Sequence, residues 1–171
     1  MGRIKKMTAH RSCLHTKRKR KEIKYIVIHY TGNSNDTAVD NGKFFQREQI
    51  GSRNGVGAHF FVGKKGAIVR SIPMNRVAWS VGGYISQKNG AGSYYQKCTN
   101  SNSVSIELCS ATEGFTKKQA AAVKWLVQYI QKRCPNAKTI IRHWDVNGKA
   151  CPAPMAGKDN KMWREFKALV Q

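Results

Sequence analysis

Acidic residues are scarce in this chain, and their scarcity bounds the kind of partner it meets. Nine Asp and Glu stand against 31 Lys and Arg in 171 residues, which gives a formal net charge of +22. A field of this sign and size attracts polyanions in general. Nucleic acid, teichoic acid, anionic lipid and lipopolysaccharide all fit the charge, so the charge alone does not choose among them.

Long apolar runs are also missing. No stretch approaches the roughly 20 residues needed to cross a bilayer, and the first residues contain no apolar segment of the kind found in secretory signals. We therefore expect no transmembrane segment and no signal peptide. A protein of this kind is expected to stay in the cytoplasm until another agent releases it.

Cysteine pairs with short spacing are absent as well. The five cysteines stand at 13, 98, 109, 134 and 151, and no two are separated by only two residues. An odd number, wide spacing and no signal peptide argue against a disulfide framework. Pairing of Cys98 with Cys109 across a loop remains an open alternative.

The positive charge is concentrated at the start of the chain. Residues 1–21 hold nine Lys and Arg and no acid, and they show no hydrophobic periodicity. Such a segment is typical of a flexible arm, so we expect a basic arm over residues 1–22. One catalytic or binding domain is expected over residues 23–171, and that length is enough to bury a substantial core.

Strand-like and helix-like patterns alternate through the domain. This alternation predicts an α/β fold in which helices flank a central mixed β-sheet. Segment 58–72 reads as a hairpin, and Thr116 with Gln119 has the spacing of a helix N-terminal capping box. The predicted strands are 24–30, 58–63, 67–72, 103–109 and 139–143, and the predicted helices are 37–49, 116–134 and 162–170.

Three widely separated residues form a candidate metal site. His29 ends an apolar strand, His143 ends another, and Cys151 follows in a loop just before Pro152. Each of them alone is more often a packing residue than a ligand. Together, two imidazoles and a thiolate are a three-ligand zinc set, and such a set leaves the fourth position open for catalysis. If the three converge, the sequence predicts a zinc hydrolase.

Two charged residues have the chemistry to assist such a zinc. Glu107 lies between Ile106 and Leu108 in a strand, and it is either a half-exposed strand residue or a general base. Partial burial would raise its pKa toward neutrality. Lys149 lies two residues before Cys151, and it is either a solvated surface lysine or a group that meets a developing oxyanion.

Segments of the sequence resemble the type 2 N-acetylmuramoyl-L-alanine amidases, a family that includes phage endolysins and shares its fold with peptidoglycan-recognition proteins. The resemblance covers about residues 23–170 and rests on YIVIHYTG (25–32), GAHFFV (57–62), SIELC (105–109), RHWDV (142–146) and KACP (149–152). It implies Zn²⁺ held by His29, His143 and Cys151. It also implies Glu107 as general base, Lys149 as transition-state stabiliser, and bacterial peptidoglycan as the substrate.

Two positions depart from the family pattern. Ala58 stands where some phage members carry a tyrosine that assists catalysis, and Ser80 stands where many relatives carry a substrate-contacting histidine. His59 is expected to have a structural or groove-lining role rather than to bind metal. Two interpretations, groove lining and packing alone, stay open for the aromatic residues Trp79, Tyr84, Tyr94 and Tyr95.

The resulting interpretation is a monomeric zinc amidase that acts as a phage or prophage endolysin. On this interpretation the basic arm binds anionic wall polymers or lipopolysaccharide, and no specific nucleic acid is expected. One alternative is a peptidoglycan-recognition module that binds without cutting, although an intact cysteine ligand argues against it. The other is a basic nucleic-acid-binding protein, which would leave the candidate zinc site without a purpose.

Overall fold

A six-stranded sheet forms the centre of the molecule. The computed structural model describes residues 3–83 and 92–171, and Tyr84 therefore lies outside the described residues. The strands are β1 (Ile4–Lys6), β2 (Tyr25–Tyr30), β3 (Phe60–Val62), β4 (Ile68–Arg70), β5 (Ser103–Leu108) and β6 (Thr139–Arg142). Their order across the sheet is β1-β4-β3-β5-β2-β6.

The sheet is mixed, as the sequence predicted. β5, β2 and β6 run parallel to one another, and β3 is parallel to β5. β3 and β4 form the predicted antiparallel hairpin. The side chains of β2 from Ile26 to His29 are buried on both faces, which is typical of a central strand covered on two sides. The α/β class is confirmed.

Over the described residues, four α-helices connect and cover the strands. They are α1 (Ala38–Gln46), α2 (Lys117–Arg133), α3 (His143–Asn147) and α4 (Lys161–Val170). At the start of α2, Thr116 accepts a hydrogen bond from the backbone N–H of Gln119 at 3.0 Å. The Gln119 side chain does not complete a capping box, because its amide donates to the carbonyls of Val62 and Cys109 at 2.8 and 3.0 Å. These bonds attach α2 to the sheet.

The main core lies between the sheet and helices α2 and α4. The predicted apolar stripe of α2 is buried there and packs with the inward residues of β2 and β5. The stripe consists of Val123, Leu126, Val127 and Ile130. Burial of each such side chain contributes about 1.5–3 kcal/mol, so this face of α2 is a major source of its stability.

The N-terminal segment, residues 3–22, corrects the expectation of a flexible arm. β1 pairs in parallel with β4, and the backbone N–H of Met7 donates to the carbonyl of Arg70 at 3.0 Å. Met7, Ala9 and Cys13 are buried. These apolar residues are spaced singly among cations, so they left no periodic pattern in the sequence. Their burial nevertheless fixes the segment against the domain.

The five cysteines are all buried and all carry free thiols. Cys98 and Cys109 therefore do not form the disulfide that the sequence left open. Within residues 3–83 and 92–171, none of the helices combines the length and apolarity needed to cross a bilayer.

Candidate metal centre

The parallel strands deliver His29 and Glu107 to the same edge of the sheet. In the β2–β5 ladder, His29 is the direct partner of Glu107, one residue before the end of each strand. Because neighbours in a parallel ladder point the same way, both side chains project from one face. His29 is buried. Glu107 is part-exposed, but its Oε2 atom is out of contact with solvent.

A sharp turn after β6 brings the other two predicted ligands to this edge. His143 is the first residue of α3, and this short helix ends at Gly148, whose φ of 80° is a conformation that glycine adopts readily. The chain then folds back, and the backbone N–H of Trp144 donates to the carbonyl of Cys151 at 2.9 Å. Sγ of Cys151 consequently lies 3.7 Å from Nδ1 of His29.

A buried ion pair holds the start of α3 in place. The Arg142 guanidinium and the Asp145 carboxylate are 2.7 Å apart, and the backbone N–H of Arg142 donates to the same carboxylate at 2.7 Å. Arg142 also donates to the carbonyl of Gly157 at 3.0 Å. These bonds bracket His143 and fix its direction. The RHWDV segment therefore has a structural reason for its arginine and its aspartate.

The donor atoms of His29, His143 and Cys151 fit a zinc ion. The donor atoms lie within 4.8 Å of one another, and the ligands of a tetrahedral zinc are about 3.3–3.8 Å apart. Closure on an ion therefore needs side-chain shifts of about 1 Å. Nε2 of His29 and both ring nitrogens of His143 are buried without hydrogen-bond partners. Unsatisfied buried nitrogens are costly, and coordination would satisfy one on each ring.

Electrostatics keep both imidazoles neutral, as coordination requires. Burial, with the positive charges of Lys149 and of His143 in its protonated form, holds the pKa of His29 well below its usual range. Burial likewise lowers the pKa of His143 to about 4. Burial raises the pKa of the Cys151 thiol to about 12, so the thiolate needs a bound cation to form at neutral pH.

Glu107 has the protonation behaviour of a general base near neutral pH. Burial raises the pKa of its carboxyl to about 7, against the opposing effect of the Lys149 ammonium. A carboxyl with this pKa can both accept and return a proton at neutral pH. Lys149 is exposed and lines the same groove as Glu107.

A groove of about 570 Å³ runs beside this centre. Ala58 and Ser80, the two departures from the family pattern, both line it. The groove also takes in side chains that the sequence did not single out, namely Asn33 and Asn41 near the start of α1, Phe44 within α1 and Arg53 in the loop beyond it. The only sequence signal for Arg53 was its position in a Gly-containing loop, which does not specify a role.

The other predicted groove residues have different surroundings. Trp79 is half-exposed and stacks on His15, with ring centroids 3.7 Å apart. Tyr94 packs edge-on against Tyr25 at 5.7 Å. Among the residues described, neither Tyr94 nor Tyr95 lines this groove.

His59 is buried, and it is not one of the three converging donors. Its Nδ1 atom accepts from the backbone N–H of Ser105 at 3.1 Å, and its Nε2 atom lies 2.7 Å from a guanidinium nitrogen of Arg18. Arg18 also donates to the carbonyls of Met74, Asn100 and Ser101. His59 thus has the surroundings of a structural residue. Arg18 appeared in the sequence to be part of a solvated charge run.

Comparison with known proteins agrees with this geometry. The family described as N-acetylmuramoyl-L-alanine amidase matches residues 19–154. Amidase CwlL of Bacillus licheniformis is 28% identical over 144 residues, which are 82% of this chain and 39% of CwlL. Amidase CwlA of Bacillus subtilis is 29% identical over 150 residues, 86% of this chain and 48% of CwlA. The chain thus spans less than half the length of these relatives.

Solved structures share the fold over the whole chain. A mutant endolysin from Bacillus subtilis superposes with a TM-score of 0.74 at 22% identity and covers 100% of both chains. The catalytic domain of XlyA gives a TM-score of 0.73 at 21% identity and covers 99% of each chain. The sheet, the converging His, His and Cys residues and a match over most of the sequence lead to one conclusion: this chain belongs to the N-acetylmuramoyl-L-alanine amidase family.

Proposed function

We propose that this chain hydrolyses the amide between N-acetylmuramic acid and L-alanine in bacterial peptidoglycan, with a zinc ion held by His29, His143 and Cys151. The observation that carries the proposal is the convergence of these three donors beside Glu107 at the end of the parallel strands. The family match and the amidase names of CwlL and CwlA support the choice of bond.

Two side chains handle protons and charge in the proposed reaction. A zinc ion with three protein ligands acts as a Lewis acid and lowers the pKa of water. Glu107 takes a proton from the water that attacks the lactyl carbonyl, and a new C–O bond forms. Glu107 then delivers that proton to the alanine nitrogen as the C–N bond breaks. The Lys149 ammonium faces the negative charge that develops on the carbonyl oxygen.

The groove supplies contacts for the remainder of the substrate. Amide side chains of Asn33 and Asn41 offer hydrogen bonds, and Phe44 with Arg53 offers an apolar face and a positive charge. The Arg53 guanidinium lies 5.5 Å from the centre of the Phe44 ring. This pair suits a stem peptide, which combines aliphatic side chains with carboxylates. Ala58 leaves catalysis to Glu107 without help from a tyrosine at that position.

A role in lysis is the proposed biological setting. The endolysin whose structure matches this chain over its full length supports that setting. In it, the enzyme waits in the cytoplasm, reaches the wall when a partner opens the membrane, and acts as a monomer. Sedimentation of the pure protein tests the last point, because a dimer would contradict it.

The decisive experiment measures cleavage and metal content on the same samples. Wild type, Glu107→Gln and Cys151→Ala are incubated with a soluble muropeptide, and zinc is determined by elemental analysis. Wild type should release peptide with a new N-terminal alanine and hold about one zinc per chain. Glu107→Gln should keep the zinc and lose about 10²–10⁴-fold in rate. Cys151→Ala should lose the metal.

Two results would contradict the proposal. Wild-type protein that holds zinc and retains the muropeptide uncut would indicate a recognition module. Wild-type protein that binds no zinc, yet is folded by circular dichroism, would remove the proposed chemistry altogether.

A further inference from the structure

Seven exposed cations come together at the end of the sheet opposite the metal centre. One group lies just before β2, and the other lies between the last turn of α2 and the start of β6. All seven are exposed. We name these residues the basic end surface: Lys19, Arg20, Lys21, Lys24, Lys132, Arg133 and Lys138. None of them was part of the candidate active site.

Hydrogen bonds to backbone carbonyls join the two groups into one surface. The side-chain amide of Asn136 donates to the carbonyl of Lys21 at 2.7 Å, and the backbone N–H of Thr139 donates to the carbonyl of Lys24 at 3.4 Å. The charges of Arg20 and Arg133 oppose the effect of burial, which raises the pKa of the Cys134 thiol. The cations therefore do not sit on a free tail, because each chain segment holds the other.

The charge of this surface is not neutralised within the described residues. The ion pairs found over residues 3–83 and 92–171 are Arg142 with Asp145 and Lys161 with Glu165, and neither pair belongs to the surface. The one acid among these cations is Glu22, whose carboxylate accepts a hydrogen bond from the backbone N–H of Lys19 at 2.9 Å. A cluster of this kind attracts a polyanion and releases counterions when it binds.

The surface and the metal centre lie at opposite ends of the same strands. Lys24 precedes β2 and His29 stands near its end. Five residues of strand separate them by about 16 Å. A polymer bound at the basic end surface therefore leaves the groove at Glu107 open for substrate.

We propose that the basic end surface binds the phosphodiester backbone of an anionic polyol-phosphate polymer attached to the bacterial wall. This inference rests on the proposed function, because that function places the protein at the wall. The protein then holds the wall polymer with one end of its sheet and meets peptidoglycan with the other. The expected basic arm contributes three of the seven cations, Lys19, Arg20 and Lys21, but as a folded part of the surface.

The chemistry of the surface favours this partner over other polyanions. The exposed large apolar side chains of the described residues are Phe44, Ile50, Val56, Trp79 and Leu169, and none of them is a member of the basic end surface. Trp79 shares a cleft with Glu22 at the border of this surface, but its ring is stacked on His15. Proteins that bind single-stranded nucleic acid use exposed aromatic rings for stacking, whereas the Tyr129 ring here lies 3.7 Å from the Arg133 guanidinium. The acyl chains of lipopolysaccharide would likewise find no apolar contact on this surface.

The test changes charges without removing the segment that carries them. Deletion of residues 1–21 would also remove β1 and the buried Arg18 contacts, so exposed lysines are replaced instead. The test variant is Lys21→Gln with Lys24→Gln and Lys138→Gln. The matched control is Lys64→Gln with Lys65→Gln and Lys117→Gln, three exposed lysines near the opposite edge of the sheet. Both sets lower the net charge by the same amount.

Binding is measured on immobilised poly(glycerol phosphate) over a range of salt concentrations. We expect the test variant to lose about tenfold or more in affinity, and the slope of log affinity against log salt to fall by about two. The control should keep the wild-type slope. Hydrolysis of a soluble muropeptide should be unchanged in both variants, and this readout keeps a failure of the amidase proposal distinct from a failure of this one.

Three results would overturn the inference. Equal losses in the test and control variants would mean that net charge, and not this surface, governs binding. Unchanged binding by the test variant would place the polymer elsewhere. Tighter wild-type binding to duplex DNA or to lipopolysaccharide vesicles than to poly(glycerol phosphate), lost in the test variant, would assign the surface to that other partner.

Discussion

Among the described residues, Lys149 is held beside Glu107 by its loop and not by an ion pair of its ammonium group. The backbone N–H of Lys149 donates to the Asn147 side chain at 3.1 Å, and this bond holds the backbone in place. The Lys149 side chain is exposed in the groove. An unpaired cation at this position is free to meet charge that develops on the substrate. This placement supports the proposed role of Lys149 as a group that stabilises the transition state.

Replacement of Lys149 by methionine should therefore affect the transition state more than the bound substrate. We expect kcat to fall by about 10²-fold, as when one oxyanion-stabilising donor is lost, with KM and zinc content near wild type. Steady-state kinetics on a soluble muropeptide measure both constants. Lys158→Met is the control, since Lys158 is exposed and outside the groove. A rise in KM at constant kcat would assign Lys149 to substrate binding instead.

Asp36 couples the loop after β2 to Ser110, two residues after the end of β5. The backbone N–H of Ser110 donates to its carboxylate at 2.6 Å, and the Asn41 side chain donates to it at 2.6 Å. Burial alone would raise the pKa of Asp36, but these hydrogen bonds outweigh burial and hold the pKa below its ordinary value. The ionised carboxylate is thus the form that the fold stabilises.

A pH dependence of stability follows from this lowered pKa. Since the pKa is lower in the folded than in the unfolded protein, the stabilisation is complete above about pH 4 and is lost as pH falls through the folded-state value. Asp36→Asn should reduce the free energy of unfolding by about 1 kcal/mol at pH 7, with a smaller difference below pH 4. Urea unfolding at several pH values measures it. The exposed Asp159→Asn variant should show no such difference.

At the scale of elements, residues 15–18 brace the rim of the groove. Nε2 of His15 lies 2.6 Å from the carbonyl oxygen of Gly55, and the ring stacks on Trp79 with an interplanar angle of 6°. A side chain at Gly55 would meet both rings at 3.1 Å, so this position requires glycine. Val56 and Ser80, the neighbours of Gly55 and Trp79, line the groove. The N-terminal segment thus supports a wall of the candidate site.

Removal of the His15 ring should loosen that wall. His15→Ala should lower the free energy of unfolding by about 1–2 kcal/mol, through the lost stacking and hydrogen bond. It should also raise KM for peptidoglycan while kcat and zinc content stay near wild type. His15→Phe, which can stack, should recover most of the KM change. An equal effect of Thr16→Ala, an exposed neighbour, would contradict the bracing role.

Elements with a strong period were predictable from the sequence, and elements that depend on distant pairing were not. Hydrophobic periodicity predicted the strands β2 and β5 and the buried stripe of α2. β1 has three residues, two of them lysines, and only its pairing with β4 makes it a strand. α3 has five residues, and its start is fixed by the buried pair of Arg142 and Asp145. Such short elements carry too few residues for a periodic signal.

The residues in and around the candidate site likewise fall into those that the sequence singled out and those that it did not. His29, Glu107, His143, Lys149 and Cys151 were found because their chemistry is unusual for their positions, and the structure brings the three ligand candidates together. Their individual roles stay predictions. His15, Arg18 and Arg53 were not found, because histidine and arginine in a basic chain look like solvated charge until their partners are known.

For the whole molecule, the metal should act as a clamp between distant parts of the chain. His29 and Cys151 are 122 residues apart in sequence, and an ion shared by them favours the folded state over the unfolded one. Removal of zinc by a chelator should lower the melting temperature by about 5–10 °C, and readdition should restore it. Differential scanning calorimetry measures the shift. Cys151→Ala should melt at the same temperature with and without chelator, and a shift of wild-type size in this variant would place the stabilising ion at another site.

The reactivity of the five buried thiols can report local unfolding of the protein. None is more than 4% exposed, and burial raises the pKa of the Cys98 thiol to about 12. A maleimide or disulfide reagent should therefore modify the native protein only through fluctuations that expose a sulfur atom. Cys13 belongs to the N-terminal segment, Cys134 to the end of α2 and Cys109 to the region just after β5. Peptide mapping of the modified sulfurs would thus read out, without any introduced label, which part of the fold opens first.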